Sequence, residues 1–460
     1  MLLHFIDREQ ELKILEDKYA SNKPELIPIY GRRRVGKTEL IRQFIKDKPH
    51  FYFLAKKKRL GDELERFRLK FSKDFNVFIQ EVKSWDAVFE EICNHKQGER
   101  LVVVIDEFPF WVEKDTSILS DFQHLWDEVL KGKNIFLILC GSYVSIMEND
   151  VLGYKSPLYG RRTGQIEVNR LGFREFVKFF PRWNLDEVIK AYGALDGVPF
   201  YIKEFEIGKS FTENVNCTFW KSGSILNKEA EFLLAQELRE VEVYLSIMRS
   251  IFEGASKLNE IATKSSVEIT NINKYINVLI DLKFIATESP VIVNVPKRKN
   301  YVYKISDNFF SFWLSYVYPF KDDIEIGEIA HLKTFFAKDY DRYIGFVFEN
   351  VCKQIVRNFR LPIGQTKLGR WWHKDKEIDL VCLDENKKEA LFFECKWSAL
   401  SESKARNILE ELEGKSKFVG WKRKKEYFGL FGKRVFGKEE LRKEGFVVFD
   451  LKDMEKALRS

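Results

Sequence analysis

Glu25-Leu-Ile-Pro-Ile-Tyr-Gly31-Arg-Arg-Arg-Val-Gly36-Lys37-Thr38-Glu39 is the stretch from which the rest of the chain is read. Leu26 to Tyr30 is apolar and reads as a short buried strand. It feeds into Gly31-x-x-x-x-Gly36-Lys37-Thr38, and Glu39–Ile45 then has helical character. Strand, glycine-rich loop, Lys-Thr and helix in that order are the setting in which a loop cradles phosphates. Glycines let the backbone curl, so that successive N–H groups across Gly31, Arg32, Arg33, Arg34, Val35 and Gly36 point at phosphate oxygens. The helix that opens around Lys37–Glu39 adds its positive end. Lys37 would reach the β- and γ-phosphates of ATP, and Thr38 would place its hydroxyl on Mg²⁺.

The chain has 460 residues, which at ~150 residues per domain suggests about three domains. An apolar share of 45% supports real cores, and a formal charge of +7 is a mild excess compatible with nucleic acid. Cys93, Cys140, Cys217, Cys352, Cys382 and Cys395 are scattered without a C-x-x-C pair, which argues against a zinc ribbon or a disulfide framework and fits a reducing cytoplasm. No stretch approaches ~18 uninterrupted apolar residues, so a soluble protein with no membrane partner is expected.

Working outward, residues 5–20 read as an amphipathic helix introduced by Asp7, Phe51–Ala55 as a second strand, and about 61–95 as a long charged helical stretch. Leu101-Val-Val-Val-Ile-Asp106-Glu107 is a continuous apolar run closed by two carboxylates, the pattern of a central parallel strand whose tip faces a ligand. Asp106 would hold Mg²⁺ through its water shell, and Glu107 would orient and polarise the attacking water. Asn134–Ser142 is another buried strand ending in a small polar residue, and Ser142 is placed to sense the γ-phosphate. Arg161, in Gly160-Arg-Arg, would stabilise charge on the transferred phosphoryl group, within the chain or across a subunit interface.

These residues carry a resemblance. Phe5-Ile-Asp-Arg-Glu-x-Glu-Leu, the phosphate loop, Ile105-Asp-Glu-Phe, Cys140-Gly-Ser, Leu158-Tyr-Gly-Arg and Gly197-Val-Pro199-Phe-Tyr-Ile together resemble the archaeal ATPase family, an AAA+/STAND-related group of P-loop NTPases. Over about residues 1–320 the resemblance implies a parallel sheet of order 5-1-4-3-2, a helical lid, and contact of Gly197 and Pro199 with the base. Relatives usually carry Gly-Gly-x-Pro, whereas Asp196 precedes Gly197 here.

Residues 172–235 look helical and amphipathic. Val241–Ser250, Leu258–Lys264 and Thr270–Leu282 read as three helices, followed by two strands, Phe284–Ser289 and Val291–Ile305, with a Pro-Lys-Arg-Lys tip at 296–299. Three helices and a basic hairpin make a winged helix. Lys274, Lys297, Arg298 and Lys299 would meet DNA phosphates, although the same module also serves internal contacts.

Between about Lys321 and Leu332 the periodicity lapses, as in a linker. A helix from about Tyr340 to Phe359 carries Glu349. Gly369–Leu383 and Ala390–Trp397 then read as two strands joined by a polar turn. Asp379 lies on the first and Glu394-x-Lys396 on the second, and alternation puts Glu394 and Lys396 on one face with Cys395 on the other. Two carboxylates suit Mg²⁺ or Mn²⁺, Lys396 would position or deprotonate water at a scissile phosphate, and Glu349 would add a ligand or base. This constellation resembles the restriction-endonuclease-like PD-(D/E)xK superfamily, in the C-terminal domain often fused to archaeal ATPases.

The expected architecture is α/β: a P-loop AAA+-like core at 1–170, a helical lid at 171–236, a winged helix at 237–320 and a restriction-endonuclease-like domain at 333–460. Two functional readings stand. One is an ATP-hydrolysing protein that binds DNA and cuts it with a metal. The other is a STAND-like switch in which ATP or ADP controls docking of a protein partner or a second copy through an inactive C-terminal domain.

Overall fold

The computed structural model describes residues 6–96, 98–292 and 301–459. The chain divides into two compact units, one formed by Met1–Arg170 with Val198–Phe200, the other by Leu171–Gly197 with Tyr201–Ser460.

The first unit is built on strands β1 (Glu25–Tyr30), β2 (His50–Leu54), β3 (Leu101–Asp106), β4 (Ile135–Gly141) and β5 (Ile166–Glu167), paired in the order β2-β3-β4-β1-β5. Every pairing is parallel. This is the 5-1-4-3-2 order that the resemblance implies. The unbroken apolar run in β3 follows from burial on both faces. Leu101, Val103 and Ile105 enter one core, with Phe67, Phe89 and Trp111, while Val102 and Val104 enter the other, with Ile41 and Phe44. A fully buried Val, Leu or Ile contributes roughly 1.5–3 kcal/mol, so strands of this kind have little freedom to slip by a residue.

The local reading needs correction in places. The first helix is Glu9–Ala20, because Asp7 and Arg8 both adopt positive φ (68° and 78°) and do not extend it. The charged stretch after β2 is two helices, Leu60–Phe75 and Trp85–His95, with a cap at Asn76 (φ 52°) ending the first and Ser84 opening the second.

In the second unit, helices Phe173–Val177, Leu185–Leu195, Phe211–Thr218 and Ile225–Glu237 occupy the stretch read as a lid. Val241–Phe252, Leu258–Ser265 and Ile269–Asp281 follow, then an antiparallel pair, β6 (Ile285–Glu288) and β7 (Val302–Ile305). Lys297, Arg298 and Lys299 lie outside the described residues. Lys321–Ile326, expected as linker, is a helix that buries Ile324, and the helix carrying Glu349 begins at Ala330 and runs to Ile355.

A second sheet closes the chain. Its strands β8 (Lys367–His373), β9 (Lys376–Asp384), β10 (Glu389–Leu400), β11 (Lys425–Val435) and β12 (Val447–Asp450) pair in the order β12-β11-β10-β9-β8. β8, β9 and β10 are antiparallel neighbours, while β11 and β12 run parallel to β10. The stretch 369–383, read as one strand, is thus a hairpin that reverses at Lys374 (φ 54°) and Asp375. Lysine there gives none of the usual Gly or Asn signal for such a turn. No described helix is long and apolar enough to cross a membrane.

Candidate functional site

At the C-terminal end of β1 the backbone swings into the loop 31–36, and the helix Lys37–Ile45 begins immediately after it. Gly31 has φ 146°, and a Cβ there would stand 2.2 Å from the Val168 carbonyl oxygen, so only glycine lets the loop leave the sheet on this path. Gly36, at φ 100°, is the N-cap of the helix. Lys37 is buried and its Nζ donates to the Gly31 and Arg32 carbonyls at 2.7 and 2.9 Å, folding the side chain back over the loop.

Side chains from two further strands converge beside it. Thr38 Oγ1 donates to Asp106 Oδ2 at 3.0 Å, and the Tyr52 hydroxyl on β2 donates to the same oxygen. Burial, then the Asp106 carboxylate, pushes the Tyr52 pKa up, so the phenol stays a proton donor. Glu107 sits at φ 58°, accepts the Ser142 hydroxyl on Oε1 at 2.9 Å, and has its other oxygen buried without a hydrogen-bond partner. Glu107 thus combines a left-handed backbone with a buried oxygen that has no hydrogen-bond partner among the described residues.

The loop arginines have aromatic neighbours. The Arg33 guanidinium lies 4.9 Å from the Tyr143 ring and that of Arg34 4.1 Å from Phe200. Val35 is buried, its carbonyl accepting from Arg8 at 3.1 Å, whereas Glu39 is exposed on the first helical turn. Pro199 comes to 3.9 Å from where a Cβ on Gly36 would be, so the segment Val198–Phe200 returns to the loop. Gly197 allows this turn, since a Cβ would stand 1.8 Å from the Leu171 carbonyl oxygen. Asp196 adopts φ 53°, and its carboxylate accepts the N–H groups of Gly197 and Asn308 at 2.7 and 2.8 Å. Arg161 is engaged elsewhere, with Nε and Nη2 on Asp127 Oδ2 at 2.8 and 2.6 Å and Nη1 on the Pro157 carbonyl at 2.9 Å.

The second constellation lies on β9 and β10. Asp379 and Glu394 are buried, and the Lys396 ammonium lies between them, 3.3 Å from Asp379 Oδ2 and 2.5 Å from Glu394 Oε2. The Cys395 N–H donates to Asp379 Oδ2 at 2.8 Å, while the Cys395 side chain turns to the other face and meets Cys352. Lys415, from the helix Glu402–Ser416, adds a second ammonium 2.8 Å from Glu394 Oε1. Burial and then Asp379 push the pKa of Glu349 up to about 8. The same two causes raise that of Glu394 against the pull of Lys396. Burial disfavours the charged Lys396, but Asp379 and Glu394 outweigh it and raise its pKa. Lys396 therefore stays an ammonium near neutrality, which suits positioning a phosphate better than taking a proton from water.

Among the described residues no group of three or more His, Cys, Asp or Glu is arranged to hold a metal ion. Mg²⁺ is commonly held by one or two carboxylates with the remainder from water and substrate, and Asp379 and Glu394 meet that requirement. Lys274 is exposed on the helix Ile269–Asp281, against Tyr275. Tyr52, Lys415 and Arg370, whose charge is stabilised against burial by Glu377, Glu349, Glu288 and Asp379, were not singled out from the sequence. Tyr52 and Lys415 lie on elements remote in sequence from the motif each serves, and Arg370, nine residues before Asp379, lies on the neighbouring strand β8.

Residues 5–205 match the family described as an ATPase domain predominantly from Archaea, and residues 313–408 match one described as archaeal and bacterial proteins of unknown function. An uncharacterized protein of Methanocaldococcus jannaschii is 36% identical over 455 residues, covering 98% of this chain and 99% of its own length. The chain belongs to this archaeal ATPase family. An uncharacterized ATP-binding protein of the same organism is 51% identical over 47 residues, 10% of this chain and 80% of the relative. Among solved structures, the ORC2 protein of Aeropyrum pernix in ADPNP and ADP complexes is similar at TM-score 0.46 and 13% identity, covering 71% of this chain and 97% of that chain.

Proposed function

We propose that the chain binds Mg²⁺-ATP at the loop 31–38, hydrolyses it, and couples nucleotide state to DNA, which the C-terminal domain cuts with a metal ion. The observation that carries the nucleotide reading is the convergence of Lys37, Thr38, Asp106 and Glu107 at the ends of β1 and β3. Lys37 and the loop N–H groups would hold the phosphates, and Thr38 and Asp106 would hold Mg²⁺, which supplies charge neutralisation on the phosphoryl oxygens. Tyr52 keeps Asp106 oriented. Glu107, with one oxygen on Ser142 and one buried and unsatisfied, is the group to receive and orient a water molecule. Gly197 and Pro199 would border the base. Arg161 serves this chemistry only after leaving Asp127.

On the DNA side, the three helices and the pair β6–β7 are read as a winged helix with Lys274 on its third helix. The sheet with Asp379, Glu394 and Lys396 is read as restriction-endonuclease-like. Asp379 and Glu394 would hold Mg²⁺ or Mn²⁺, which activates water, and Lys396 would stabilise charge at the phosphate. The competing reading, a nucleotide-controlled switch, gains support from the ion pairs that tie Lys396 and Lys415 to these carboxylates, since such a network also serves a purely structural role.

The test is incubation of the pure protein with labelled single-stranded, duplex and branched DNA, with and without Mg²⁺, Mn²⁺ and ATP, alongside Glu107→Gln and Asp379→Ala. Glu107→Gln should retain ATP binding and lose turnover by roughly 100-fold or more. Cleavage that is present in wild type and gone in Asp379→Ala supports the enzyme, and no cleavage of any substrate leaves the switch.

A further inference from the structure

Val291, just beyond β6, donates its N–H to the Arg370 carbonyl at 2.8 Å and packs on Gly369, where an added Cβ would stand 3.0 Å from its own. The β6 side of the three-helix module is thereby joined to β8, the edge strand of the C-terminal sheet. Next to this seam lies a cleft of about 640 Å³, within the second unit, walled by the ends of Val241–Phe252 and β6–β7, by the helix Ala330–Ile355, and by the hairpin β8–β9. Glu349 and Asp379 are part of its lining, so the cleft opens onto the carboxylate site.

Its chemistry is mixed in a specific way. Phe346 (60% exposed) and Phe252 (38% exposed) present bare rings, and Trp372 and Tyr303 are half-buried. Three of the carboxylates away from the inner end are already paired. Glu288 lies between Lys304 at 3.0 Å and Lys353 at 3.4 Å, Asp339 is held by Arg342 at 2.7 Å, and Glu377 by Arg370 at 2.5 Å. Lys374 and Lys376 also line the space, beside Asp375. Arg370 keeps a buried Nε with no hydrogen-bond partner among the described residues. Aromatic faces interleaved with cations are what unpaired bases and their phosphates require, because stacking needs a π-face and the backbone needs charge. The volume falls in the range that encloses a small ligand, about one or two nucleotides, whereas duplex DNA, with a major groove alone about 12 Å wide, would have to enter whole.

We propose that this cleft takes an unpaired nucleic-acid strand, with bases against Phe346 and Trp372 and a phosphate received by Arg370 beside Asp379. The delivery of that phosphate for cleavage rests on the nuclease reading above, but the binding does not. The test is fluorescence anisotropy on the full chain in EDTA, with a labelled oligothymidylate and a duplex of the same length, followed by a cleavage assay in Mn²⁺. Phe346→Ala and Trp372→Ala should each weaken oligothymidylate binding about tenfold while leaving duplex affinity unchanged. Arg370→Gln should weaken the single strand as well. Because Phe346 is exposed, its truncation reads binding without a loss of fold, and thermal melting should be unaltered. Wild-type affinity for oligothymidylate in Phe346→Ala overturns the proposal, as does an equal loss for the duplex. Single-strand binding that depends on Phe346 and Trp372 without any cleavage removes the nuclease reading and keeps the cleft. Single-strand cleavage at the wild-type rate in both variants does the reverse.

Discussion

The phosphate loop and the Asp379 site place charge in opposite ways. At the loop, the proposed phosphate contacts are backbone N–H groups whose directions are set by φ angles, and one wrong Cβ, 2.2 Å from Val168 O at Gly31, removes the geometry. At Asp379, the proposed contacts are side chains on β9, β10 and two helices, held by ion pairs, with burial and Asp379 raising the pKa of Glu349. A backbone site is compact in sequence and intolerant of substitution. A side-chain site is dispersed in sequence, tunable, and able to survive as structure after its chemistry is lost.

The largest expected effect separates the two sites completely. Asp379→Ala and Lys396→Ala should each abolish DNA cleavage, the first by removing a metal ligand and the second by removing an ammonium near the phosphate. Both should leave ATP turnover at wild-type rate. Mn²⁺ titration sharpens the contrast, with binding lost in Asp379→Ala and retained in Lys396→Ala. Retained cleavage in either variant would break the assignment of the C-terminal chemistry.

Gly31→Ala should weaken ATP binding by roughly 100-fold, about 2.7 kcal/mol, and lower the melting temperature, because the added methyl meets backbone rather than a movable side chain. Equal ATP affinity in the variant, measured by calorimetry, would show that the loop relaxes and that backbone direction is not what the site depends on.

A third effect is a pH dependence of stability in chelator. Glu349 rises from 4.5 to about 8 on folding, so the folded chain binds more protons than the unfolded one between those values, and stability falls as pH rises across that window. Glu349→Gln should remove that fall and leave the curve flatter, as measured by denaturant unfolding from pH 4.5 to 8. An unchanged curve would mean that Glu349 is not held neutral by burial and Asp379.

The same contrast explains what could be read in the sequence. β1, the loop and the acids on β3 were legible because each signal is contiguous and both faces of the strands are buried. The sheet order came through resemblance, since parallel strands separated by helices do not announce their neighbours. Asp379 and Glu394-x-Lys396 are legible as a motif, yet the sequence at 369–383 shows no break between β8 and β9, because Lys374-Asp375 lacks the residues that mark a tight turn. Lys415 follows Glu394 by 21 positions and reaches it only because the helix Glu402–Ser416 packs back on β10. Arg161 was read by its neighbours in the chain, and Asp127, which holds it at 2.6 Å, is distant in sequence. Asp196 stood out as a departure from glycine, and its positive φ with two accepted N–H groups gives that departure a structural reason.

The most direct measurement is calorimetric titration of Mg²⁺-ATP into the full chain and into Lys37→Ala. The wild type should bind saturably and the variant at least roughly 100-fold more weakly, since the buried ammonium over the loop is removed while the loop backbone is retained. Equal affinities for the two proteins would contradict the nucleotide reading of the loop.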